Sequence, residues 1–90
     1  MPFFKTKKLG SLVVYHVLFK DKKGTCKDAP DEDGLKLIGI FPPQSLTIAT
    51  YDLEMWLNSQ YLNWFFNERY DEYQLQDTRE CVGRIKKVRG

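Results

Sequence analysis

Apolar and β-branched positions dominate residues 11–19, where Leu12, Val13, Val14, Tyr15, Val17, Leu18 and Phe19 leave little room for polar side chains. That composition predicts a strand. A strand apolar on both faces belongs in the interior of a sheet, or under a helix on one face and a partner on the other. Residues 20–34 break the pattern with Lys22, Lys23 and Gly24, then Asp28, Pro30, Asp31, Glu32, Asp33 and Gly34. These are turn formers, and the length of the stretch predicts an exposed loop. Residues 35–41 (LKLIGIF) read as a second strand, with Gly39 marking a bulge or a close backbone approach. Pro42 and Pro43 end it, since proline cannot donate to a ladder and restricts the residue before it.

Residues 45–67 read as the helical region, capped by Ser45 or Thr50, with Asp52 and Glu54 near the positive end of its dipole. Residues 69–77 fit either an extension of the helix or a third strand, and the alternation of Tyr73 and Leu75 with polar residues favours the strand. Residues 81–88 predict a last strand, with Val82 and Ile85 inward and Arg84, Lys86 and Lys87 outward. Residues 1–10 are a basic lead-in with Phe3 and Phe4 as anchors. The expected fold is one α+β domain over residues 1–90. Its small antiparallel sheet of three to four strands packs on one aromatic-rich helix in the order β-β-α-β-β.

At about 100° per residue, the helical region carries two apolar stripes. Leu46, Leu53, Leu57 and Trp64, with Tyr61 beside them, form a core face. Ile48, Met55, Leu62 and Phe66 fall almost opposite. One helix on one small sheet buries only one stripe. The other is covered by the Phe3–Phe4 segment, by a second copy of the chain, or by a different protein. Met and aromatic side chains are enriched at interface cores, so Met55, Leu62 and Phe66 are candidate partner-binding residues. Asp31, Glu32 and Asp33 add an acidic contact for a basic partner.

Composition and charge narrow the functional classes. Of the 90 residues, 42% are hydrophobic and 29% charged, ordinary values for a folded domain. No apolar run approaches the roughly 18 residues of a membrane span. No basic-then-apolar leader with a small-residue cleavage site is visible, which predicts a cytoplasmic protein. The net charge of +2 is too small to imply nucleic acid by itself. Its distribution is uneven: residues 1–36 carry +3, residues 37–78 carry −5 and residues 79–90 carry +4. If the ends meet, Lys5, Lys7, Lys8, Arg84, Lys86, Lys87 and Arg89 form a phosphate-binding patch, and Tyr15 or Tyr73 stacks bases. Nucleic-acid binding is therefore an alternative function, although no glycine-rich phosphate loop or RNA-recognition aromatic motif is present.

Catalytic and metal chemistry find little support. Cys26 and Cys81 are neither a disulfide framework nor a metal-ligand spacing. His16 is the sole histidine and sits in a strand with no paired group evident. Cys26 lies in a loop without a further histidine to activate it. An EF-hand reading with Gly34 at position 6 puts Ala29 at position 1 and Ile40 at position 12, and both anchor ligands fail. No catalytic residue, metal site or cofactor is expected.

The succession of LKLIGIF, a proline break, an aromatic helix and the EYQLQD segment resembles small uncharacterised bacterial and phage-borne domains of β-β-α-β order, over roughly residues 12–77. The resemblance implies a compact α+β fold and no activity. The two prolines before the helix and the basic last strand depart from it. The expected function is a non-enzymatic inhibitor or adaptor that binds another protein. It is similar in character to phage-borne anti-defence proteins such as anti-CRISPRs. A homodimeric structural or regulatory domain, closed by the second stripe, is the other alternative.

Overall fold

The computed structural model describes residues 13–22 and 34–89. Lys5, Lys7, Lys8, the Phe3–Phe4 pair, Cys26 and the acidic triplet Asp31, Glu32 and Asp33 lie outside the described residues.

Five strands and one helix follow in the order β1 (Val13–Phe19), β2 (Lys36–Phe41), α1 (Leu46–Gln60), β3 (Trp64–Asn67), β4 (Glu72–Leu75) and β5 (Cys81–Arg89). All pairings are antiparallel, and the sheet runs β2-β1-β5-β4-β3. The fold is α+β as expected, but the order is β-β-α-β-β-β with five strands, where three to four were anticipated. β1 is interior, flanked by β2 and β5, which accounts for its apolar character on both faces. In the β1–β2 ladder Val17 pairs with Gly39 and Leu18 with Leu37, so Ile38 is the extra residue of a bulge beside Gly39.

The additional strand comes from the end of the expected helix. α1 stops at Gln60, and Tyr61 is extended (φ −130°, ψ 147°) while its N–H still closes the last turn on the Leu57 carbonyl at 2.8 Å. The Tyr61 hydroxyl is tied to the Lys20 carbonyl at the end of β1. Past that anchor, the aromatic run Trp64, Phe65 and Phe66 gains more as an edge strand against β4 than as further helix. There Trp64 meets Tyr73 edge-on and Phe66 meets it at a tilt, with ring centroids 5.5 and 4.9 Å away. A turn over residues 68–71 closes the β3–β4 hairpin, with Asp71 in the left-handed region at φ 54°. The segment 69–77 is therefore turn and strand, with no helix.

Neither expected cap starts α1. Ser45 makes no side-chain capping bond, and Thr50 lies inside the helix. A short 3-10 turn (Pro43–Ser45) leads in, with the Ser45 N–H donating to the Pro42 carbonyl at 3.0 Å. The helix is held instead by burial of one seam, Ala49, Leu53 and Leu57, all fully enclosed with Val17, Phe19, Tyr73 and Val82. Ala49 takes the place expected of Leu46, which is exposed, and Trp64 packs against this core from β3. The tightest seat is Leu53 over Gly83, where a Cβ would lie 3.2 Å from Leu53 Cδ1. A residue without a side chain in the middle of β5 lets the helix approach the sheet.

Leu53→Ala is expected to lower stability by about 2–5 kcal/mol. Met55→Ala, two positions away on the outer side, is expected to change it by less than about 0.5 kcal/mol. Urea unfolding followed by circular dichroism reads both, and equal losses would contradict this assignment of the buried seam.

Candidate functional site

The helix does not cover the sheet evenly. Its C-terminal half is pinned at the Phe19 end of β1, where Phe19 meets Trp56 and Tyr61 with centroids 5.6 and 6.1 Å away. Towards the other end, β1 and β5 run on past β4, and a cleft of about 570 Å³ opens between α1 and the sheet. Leu46, Thr50 and Glu54 form its helical wall. Tyr15, Ile85, Tyr73 and Phe66 line its sheet side, with Asp71 and Lys87 also at the lining. The volume lies within the ~300–1,000 Å³ of ligand-binding clefts. The Tyr73 hydroxyl donates to Glu54 Oε2 at 2.7 Å, joining wall to floor. Burial holds the Tyr73 phenol well above its ordinary range, and the bond to Glu54 and the nearby Asp71 charge push it the same way. Glu54 and Asp71 thus give this part of the cleft a negative field.

The outward side of α1 is a second surface. Ile48, Tyr51 and Met55 are exposed there, Met55 at 54%. A shallower hollow of about 330 Å³ joins Met55 to Asp52, Trp56 and Ser59. Leu62, in the turn after the helix, is 96% exposed. The expected stripe Ile48, Met55, Leu62 and Phe66 is therefore divided. Ile48 and Met55 share the helix, Leu62 follows it, and Phe66 stands on β3 at the cleft, 42% exposed. The break at Tyr61 separates them. None of the three candidate partner residues is sealed in the core.

The basic residues of β5 are also divided. Side chains alternate along a strand, so Lys87 faces the cleft and Lys86 the opposite side of the sheet. Arg84 is not a free phosphate contact, because its guanidinium donates to Glu72 Oε1 at 3.0 Å. That pair belongs to a polar chain on the face away from the helix. Asn67 Nδ2 donates to Gln74 Oε1 at 3.1 Å, and Gln74 Nε2 donates to Glu72 Oε2 at 2.8 Å. Gln74, although buried, is thereby satisfied. Arg89 is exposed at the end of the strand.

Among the described residues, no group of three His, Cys, Asp or Glu side chains could hold a metal ion. No described helix is long and apolar enough to cross a membrane. Cys81 is a free thiol that burial, with Glu72 beside it, pushes upward, away from a reactive thiolate. His16 pairs across the sheet with Ile40 and Lys86. No family model, curated protein or solved structure matches the chain.

The cleft was the least legible feature in the sequence. Glu54 reads there as a helix-dipole residue and Tyr15 and Tyr73 as base stackers, whereas the fold brings the three to one cavity. The available signal was the flank of α1: Thr50 and Glu54 lie one turn apart, next to the buried seam.

The same packing predicts alkaline sensitivity. Burial, with Glu80 and Asp21 adding to it, pushes Tyr61 up to about 12. A phenol that holds its proton more tightly when folded contributes stability that is whole below the unfolded value of about 10. That contribution drains away as the pH climbs through the folded value. Urea midpoints measured in steps from about pH 10 to about pH 12 are expected to fall in the native protein and to fall less steeply in Tyr61→Phe. Parallel slopes would contradict this role for Tyr61.

Proposed function

We propose that this protein is a non-catalytic protein-binding module, an inhibitor or adaptor, that docks onto another protein through the outward side of α1. The observation that carries the reading is the exposure of Ile48, Tyr51 and Met55 on one helix, continued by Leu62 beyond it. Large apolar side chains gathered on one helical face are a feature of docking sites, whereas singly scattered ones need no explanation.

Charge states the kind of partner. Asp52 lies beside Met55 and Trp56 on that side, and α1 contains no Lys or Arg. The complementary surface is an apolar site rimmed by basic residues. A second copy of this face would bring Asp52 up to its own copy, which favours a different protein over a homodimer. The free thiol of Cys81 is compatible with a reducing cytoplasm as the place of action.

Affinity capture with wild-type protein, followed by the single variants Met55→Asp and Leu62→Asp, tests the reading. Both variants are expected to keep the wild-type unfolding midpoint and to lose the captured protein, with the free chain sedimenting as a monomer. Retention of the same protein by both variants, or unfolding of Leu62→Asp, would overturn it. A complex that dissolves steeply with added salt and contains oligonucleotide would identify phosphate binding instead.

A further inference from the structure

We propose that the cleft between α1 and the sheet receives an arginine-bearing segment of the partner protein. This deepens the docking reading above, because the cleft opens under the same helix. Three features of the cavity carry it. The first is its aromatic lining: the rings of Tyr15 and Phe66 border one space, with the buried Tyr73 behind them. A guanidinium stacks on such rings through its planar face. The second is charge. Glu54 Oε2 accepts a hydrogen bond from the Tyr73 phenol, which leaves its other oxygen for a donor, and Asp71 makes no ion pair with any described residue. Two carboxylates near aromatic faces suit a planar cation that pairs and stacks at once. The third is size: about 570 Å³ exceeds what one side chain fills, so a short stretch of chain enters with it. Leu46 and Ile85 offer apolar contacts to the residues flanking the arginine.

Among the described residues Lys87 is the one cation in the lining, and it sets the expected limits. It makes no ion pair with Glu54 or Asp71, so among the described residues neither carboxylate is neutralised by a cation. Its charge still opposes a cationic guest, so removing it strengthens binding.

The probe is acetyl-Leu-Arg-Leu-amide, with acetyl-Leu-Glu-Leu-amide as control, titrated into the isotope-labelled full chain and followed by amide NMR. The arginine peptide is expected to give saturable shifts at Tyr15, Phe66, Tyr73 and Ile85, and the glutamate peptide none. Asp71→Asn is expected to raise the apparent Kd by about tenfold, equivalent to ~1.4 kcal/mol. Asparagine tolerates the positive φ at this position, so the backbone is preserved. Lys87→Gln is expected to lower the Kd. Absence of saturable shifts, equal binding of the two peptides, or an unchanged Kd in Asp71→Asn would overturn the proposal. So would cleft shifts produced without peptide by replacing Lys5, Lys7 and Lys8 with glutamine, since the chain's own N-terminal segment would then be the occupant. The peptide does not need the outward face of α1. Met55→Asp is therefore expected to keep peptide binding while losing the partner, which separates failure of this inference from failure of the docking reading.

Discussion

One helix has to close one face of a five-stranded sheet, and it does so along a single seam. Ala49, Leu53 and Leu57 are spaced four apart, so they lie along one side of α1, and Leu53 settles onto the bare backbone at Gly83. A Cβ at Gly83 would lie 3.2 Å from Leu53 Cδ1, so the leucine would have to give by a few tenths of an ångström. Because the seam is narrow, most of the other helix residues, Trp56 against Phe19 excepted, face something other than the core. Ile48, Tyr51 and Met55 face away, and Leu46, Thr50 and Glu54 overhang the sheet without filling the space below them. The outer apolar face and the inner cleft are two consequences of the same restricted contact.

The two ends of the helix are held differently, and that difference shapes the cleft. At its C-terminal end Trp56 and Tyr61 grip Phe19, the Tyr61 hydroxyl reaches the Lys20 carbonyl, and Trp64 Nε1 donates to Asn58 Oδ1 at 2.9 Å. At the N-terminal end two prolines and a 3-10 turn deliver the chain without a side-chain cap. Ala49 and Leu53 pack that half of the helix on the sheet, and midway along it Glu54 accepts the Tyr73 hydrogen bond at the cleft.

Several parts of this architecture were readable from residue order alone. The apolar stretch of β1, the Gly39 irregularity in β2, the proline stop and the strand after Cys81 all express local preferences that the fold keeps. The amphipathicity of residues 45–67 was also genuine as far as Gln60. Beyond it the same apolar residues suit a strand as well as a helix, and the outcome turned on non-local contacts. Tyr61 needed the Lys20 carbonyl, and Trp64 and Phe66 needed Tyr73 on a strand not yet formed. No periodicity count contains that information. Met55 and Leu62 are exposed, as their place opposite the core stripe implies, and no described element covers them. Phe66 was placed on the wrong element, and the cleft drew on four strands and a helix whose meeting point depends on register.

The docking proposal depends on the outward side of α1 staying uncovered in a lone chain, as it is among the described residues. Hydroxyl-radical footprinting of the dilute, isolated protein measures this directly, because oxidation rates follow side-chain access. Met55, Tyr51 and Leu62 are expected to react quickly, far ahead of the buried Tyr73 and Leu53. Labelling of Met55 and Tyr51 as slow as that of Tyr73 would mean the face is already closed within the single chain, and the account would fail.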